Sequence, residues 1–210
     1  TEWIAEVMMR PEAADARKAF RVDHPDLISL LRLPGKNEAL GEDGKHYSWN
    51  QLEPGFKEIE DQAKRILETK KDPSLRDAFD QELLKLRNAL TLYLRLKNTV
   101  HPQDTQDFAA ELRAFEAAIP GGVAALRDQQ AGRAYATNDF ENLLRYASRY
   151  DAANRMESPL ILPPEGTAPA AEWRRSGEVL LGRIRNEPMP GSVAHWAAFS
   201  SAFQKGDAAG

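Results

Sequence analysis

The sequence predicts a mostly α-helical protein: an irregular helical bundle around a long central helix, with at most a small two- or three-stranded β-ribbon. Three observations predict it. Apolar residues recur at three- and four-residue spacing over most of the stretch from Pro54 to Gln204. The β-like runs, 19–22 and 46–47, are too short to form a sheet with a core of its own. Capping and proline signals punctuate the periodic stretches, as at Asp72-Pro73.

Taken in order, Trp3, Ile4, Val7 and Met8 share helical spacing, and Pro11 ends that helix. Ala19–Val22 reads as a strand. Asp23 is placed to cap a short helix that carries Leu27, Leu30 and Leu31, with Pro25 in its first turn. The polar run 36–44 is a loop. His46-Tyr47 is a second strand, placed to pair with Phe20–Val22. Ser48 and Gln51 have capping-box spacing. A helix from about Pro54 puts Phe56, Ile59, Ala63 and Ile66 on one face, with Lys57–Asp61 and Glu60–Lys64 pairs on the other.

The longest helix is expected over 75–98. Its stripe is Phe79, Leu83, Leu86, Leu90, Tyr93 and Leu94, broadened by Leu84, Leu92 and Leu96. Asp104 or Thr105 then caps a helix with Phe108, Leu112 and Phe115 inward. Pro120-Gly121-Gly122 reads as a turn, and Val123–Gln130 as a further short helix. Thr137 or Asn138 caps the next, with Phe140, Leu143, Leu144, Ala147 and Tyr150 inward. The proline-bounded run Pro159–Pro164 is extended, because Leu162 precedes Pro163. Residues 170–185 form a helix with Trp173, Val179, Leu180 and Ile184. Ser192 caps the last helix, with Val193, Trp196, Phe199 and Phe203.

The chain reads as a single domain over 1–210. Its parts are a mixed α/β segment 1–52, a helical core 53–157, an extended strap 158–169 and C-terminal helices 170–210. It opens at Thr1 without Met and stops at Asp207–Gly210, which reads as a piece excised from something longer. Charged residues are 29% of the 210 and hydrophobic ones 42%, a balance that supports a folded core. The formal net charge of −4 argues against nucleic-acid binding, which needs clustered cations to replace phosphate counterions. With no cysteine, thiolate metal sites, disulfides and cysteine nucleophiles are excluded. No apolar stretch approaches the length of a membrane span.

No catalytic, cofactor or metal residue is assigned. His24, His46, His101 and His195 stand singly, without metal-ligand spacing, and are read as structural side chains. Glu58, Asp61, Glu68, Asp80 and Glu82 alternate with Lys and Arg as a solvated helix face does. Arg145, Arg149, Arg155, Arg174, Arg175, Arg183 and Arg185 make the last third basic, interleaved with acidic residues as ordinary surface. Trp49, beside a turn, is the candidate exposed aromatic for a protein contact. No glycine-rich phosphate loop or nucleophile elbow is present.

Three early segments carry a resemblance: Glu2-Trp-Ile-Ala-Glu-Val-Met-Met-Arg-Pro11, Ala19-Phe-Arg-Val-Asp-His-Pro-Asp-Leu-Ile28 and His46-Tyr-Ser-Trp-Asn-Gln-Leu52. Arg76–Leu86, Trp173–Leu181 and Val193–Asp207 agree with them. Together they resemble the soluble region of bacterial System II cytochrome c biogenesis proteins, the ResB/ResC or CcsB/CcsA type. The resemblance implies a location on the periplasmic, extracytoplasmic side, between spans of a membrane protein that exports haem and attaches it to apocytochrome c. It implies a non-catalytic accessory role with apocytochrome c and the membrane subunits as partners. The haem-handling motif of that family lies in its membrane part, so no haem ligand carries over to this chain. The alternative expectation is a stand-alone helical protein-binding module of the bacterial envelope or cytoplasm.

Overall fold

The structure, a computed structural model, describes residues 2–36, 43–164 and 172–206. Part of the expected 36–44 loop, the strap beyond Pro164, the expected helix start at Ala170 and the last four residues lie outside them. The protein is mostly helical with one two-stranded antiparallel sheet. No helix among the described residues is long and apolar enough to cross a membrane. The chain forms two compact units, Glu12–Leu94 and Thr1–Pro11 with Arg95–Gly210. The division falls inside a helix, not at a loop that composition marks.

The continuous unit, 12–94, begins in α2 (Pro11–Asp15) and runs through β1 (Phe20–Arg21), α3 (Pro25–Leu30), β2 (His46–Tyr47) and α4 (Trp49–Leu52). It continues in α5 (Phe56–Thr69) and most of α6 (Ala78–Lys97). The expected ribbon forms with Phe20 opposite Tyr47 and Arg21 opposite His46. Ser48 and Gln51 close the capping box at the head of α4. The cap of α3 is His24, whose Nδ1 accepts from the Asp26 N–H, in place of the expected Asp23. Ile59, Ala63 and Ile66 of α5 and Leu83, Leu86, Leu90 and Tyr93 of α6 are all buried in this unit. Two expectations for α6 need correction. Phe79 is only half-buried, set edge-on to the His24 ring. Leu92 is 57% exposed, so the apolar stripe covers one face of the helix and not most of its girth. Asp72-Pro73 starts a single 3-10 turn, Pro73–Leu75, before α6 proper.

The second unit combines α1 (Glu2–Met9) with α7 (Phe108–Gln130), α8 (Thr137–Arg155), α9 (Ser176–Ile184) and α10 (Gly191–Lys205). Here α8 packs between α7 and α9, α7 also packs on α10, and α1 lies on α10. Its core holds Met9, Val100, Phe108, Leu112, Phe115, Tyr146, Tyr150, Leu162, Val179, Leu180 and Val193.

The expected turn at Pro120-Gly121-Gly122 is instead the middle of α7, which at 23 residues exceeds the 20 of α6. Proline costs a helix one hydrogen bond and crowds the carbonyl four residues back. Close packing of α8 offsets this. A Cβ on Gly122 would stand 2.5 Å from the Leu143 Cβ, so only glycine admits α8 at this approach. Other caps also shift. Asp107, not Asp104 or Thr105, caps α7 by accepting from the Ala110 N–H at 2.9 Å. Thr137 and Ser192 lie one residue or more inside their helices. Within α8, Tyr146 is buried, while Leu144 is exposed.

Candidate functional site

Trp49 follows the Ser48 cap directly, and the capping box turns its indole inward. It is 5% exposed, with ring centres 4.5 Å from Phe56, 5.0 Å from Tyr93 and 6.4 Å from Phe20. The expectation of a surface contact residue is therefore corrected: Trp49 is a core aromatic. Its neighbours Tyr47 and Leu52 on the same short segment are buried as well. Trp49 instead lines a cavity of about 170 Å³, together with Phe56, Ile59, Glu60, Arg87, Leu90, Thr91 and Leu94.

The exposed tryptophan is Trp173, at 53%. It was expected inside a helix, but α9 begins at Ser176, and Trp173 lies beside a single bridge between Leu162 and Arg174. That bridge, with hydrogen bonds of 3.1 and 2.9 Å, holds the described part of the strap. Leu162 is buried beneath it, Ile161 is half-buried and Leu160 is exposed.

The four histidines have separate roles. His24 caps α3, and its backbone N–H donates to Glu82 Oε1 at 2.8 Å. His46 pairs with Asp43 at the surface. His195 is exposed on α10. His101 is 1% exposed. Its Nδ1 faces the Pro102 carbonyl at 2.9 Å and so must carry the proton. Its Nε2, 3.1 Å from Ser200 Oγ, then accepts from that hydroxyl. Burial holds the His101 pKa below the ordinary histidine value, against the pull of the Pro102 carbonyl. A Ser–His contact of this kind resembles an activated nucleophile. Ser200 is 0% exposed, however, so its hydroxyl is closed off from solvent.

Around it lies a polar knot. Arg149 bonds Glu111 at 2.7 Å, Asp104 at 2.8 Å and the Thr105 hydroxyl at 2.9 Å. The Tyr150 phenol donates to Glu111 at 3.1 Å, and burial pushes its pKa far up. Ser201 donates to Asp107 at 2.8 Å, and Ser176 to the Thr99 carbonyl at 2.9 Å. These bonds tie the segment 99–107 to α8, α9 and α10, and α8 to α7, so Arg149 is a packing residue and not free surface. The acidic residues of α6 are likewise tied into the packing: Asp80 is buried against Lys70, and Glu82 accepts from the backbone of Asp23 and His24. Glu60 of α5 reaches Arg87 of α6 at 3.1 Å in place of the expected Lys64.

Among the described residues, no cluster of three or more His, Asp or Glu is arranged to hold a metal ion. His24 and His101 spend ring nitrogens on the fold itself, while His46 belongs to β2 and His195 to α10. The arrangement defines a helical protein with an apolar cavity and buried polar ties. Comparison with protein families, with characterised proteins and with solved structures finds no match.

Proposed function

We infer that this chain is an extracytoplasmic accessory domain of a cytochrome c synthase, assisting haem attachment by binding apocytochrome c or bracing the membrane subunits. The observation that carries the reading is the resemblance of residues 2–11, 19–28, 46–52, 76–86, 173–181 and 193–207 to the soluble region of System II biogenesis proteins. The described parts of these segments contribute to the packed interior. Val7, Val22, Leu27, Tyr47, Leu52, Leu83, Leu86, Leu180 and Val193 are all buried. Residues at such positions build the interior, which suits a scaffold better than a reacting site. The serine and histidine nearest to catalytic geometry are sealed inside, which favours a binding or bracing role. Haem chemistry on this reading belongs to the parent membrane protein.

The test is capture of apocytochrome c, or of the partner membrane subunit, by the immobilised domain. Saturable capture of either supports the reading, and capture of neither removes it. Haemin titration of the isolated domain adds a second check. The expected result is no saturable Soret shift that depends on a histidine; a tight complex lost on His24→Ala or His101→Ala would reassign the haem site to this chain.

A further inference from the structure

The cavity of the 12–94 unit has an apolar floor and a charged mouth. Ile59, Leu90 and Trp49 are buried, whereas the side chains of Glu60 and Arg87 are 57% and 35% exposed. Trp49 and Phe56, both lining the cavity, meet at an interplanar angle of 74° and give an entering ring aromatic walls to pack against. The volume of about 170 Å³ suits a single ring, since apolar cavities of about 150 Å³ hold benzene. At the mouth, Arg87 Nε donates to the Glu60 carboxylate at 3.1 and 3.3 Å. The terminal guanidinium nitrogens are left with donors to spare, and Glu60 keeps acceptor lone pairs. Thr91 adds no competing donor, because its hydroxyl is committed to the Arg87 carbonyl at 2.9 Å.

We propose that this cavity binds a neutral aromatic ring with one polar hydrogen, a phenol above all, inserted between Trp49 and Leu90 with its hydroxyl at the Glu60–Arg87 pair. The phenol O–H donates to the carboxylate and its oxygen accepts from the guanidinium. A carboxylated ring would meet the negative charge of Glu60, and a plain hydrocarbon would leave the mouth unused. The ring can arrive as a free small phenol or as the tyrosine side chain of a peptide. The inference stands on the cavity and is independent of the synthase reading.

Calorimetric titration of the whole chain with 4-methylphenol, toluene and N-acetyl-tyrosine methylamide tests it. The expected result is saturable binding of 4-methylphenol, roughly 5-fold tighter than toluene, the scale of one net hydrogen bond. Glu60→Leu combined with Arg87→Met, which removes both polar partners, should bring the two affinities together. Thr91→Phe, which fills the cavity, should abolish both. Binding of the tyrosine amide as tight as that of 4-methylphenol assigns the ring to a peptide; its exclusion while 4-methylphenol binds assigns a free phenol. Absence of saturable 4-methylphenol binding to the wild type, or unchanged binding to a folded Thr91→Phe, overturns the proposal. Should Thr91→Phe not fold, the wild type still decides: ligand-induced NMR shifts must centre on the Trp49 indole, and shifts centred elsewhere overturn it.

Discussion

His101 shows how a single side chain can report the integrity of the fold. Buried and bonded at both ring nitrogens, it is neutral in the native state, whereas in the unfolded chain it titrates near the ordinary value of 6.5. A depressed native pKa means that the unfolded state binds the proton first as pH falls. The stabilising contribution is therefore complete above 6.5 and is lost as pH falls through the native pKa. Denaturant midpoints measured from about pH 7.5 to about pH 5.5 should fall for the wild type, and the fall should be shallower for His101→Gln. Equal slopes would show that His101 does not carry it. Gly121 and Gly122 make a second residue-scale contrast. An added Cβ at Gly122 meets the Leu143 Cβ, which belongs to a packed helix, so Gly122→Ala should cost ~1–3 kcal/mol by thermal or chemical denaturation. At Gly121 the nearest atom is the Asp139 carboxylate end at 2.9 Å, which can swing aside. Gly121→Ala should then be neutral or gain up to ~1 kcal/mol of helix propensity.

At the scale of elements, α6 is the spine of the 12–94 unit. Leu86 is nearly fully buried on its inner face. Leu86→Ala should lower stability by ~2–5 kcal/mol on denaturant titration, and a loss under ~1 kcal/mol would place that face against nothing. The α4 turn has only four residues and depends on its box: Ser48 accepts from the Gln51 N–H and Gln51 accepts from the Ser48 N–H. Ser48→Ala should cost ~1 kcal/mol, and because Trp49 follows the cap, its near-ultraviolet circular dichroism should weaken as well. The box was legible in the sequence because it is local: the spacing of Ser48 and Gln51 decides it. Helix α7 was not legible across Pro120. Proline and paired glycines ordinarily signal a turn. Whether they end a helix depends on what packs beside them, and α8 is separated from that site in the chain.

For the whole molecule, the unit containing α7–α10 borrows its edge from the start of the chain. Met9 lies in its core, and α1 packs on α10. Met9→Ala should cost ~2–5 kcal/mol, like any buried large-to-small change, although it lies far in sequence from the helices it meets. Exposed Met9, or a loss within the range of surface substitutions, would contradict that packing. Local contrast alone cannot divide 12–94 from the rest, because the division cuts through the continuous helix α6.

The sequence by itself determined the mostly helical class, the two-residue strands and their pairing, the apolar faces of α5 and α7, and the want of cysteine chemistry. Apart from the strand pairing, which follows from these two being the short β-like runs of the chain, each of these depends on residue type and on spacing within about one helical turn. Tertiary structure alone decided which aromatics are interior. Trp49 and Trp173 both stand beside turns, yet the first is enclosed by Phe20, Phe56 and Tyr93 and the second is in solvent. It also decided that Arg149, Asp80 and Glu82 are packing residues, because their partners lie 10–59 positions away in the chain. Charge patterning along a helix cannot register a partner brought from elsewhere, and the free energy of a side chain is set by the neighbours that folding gives it.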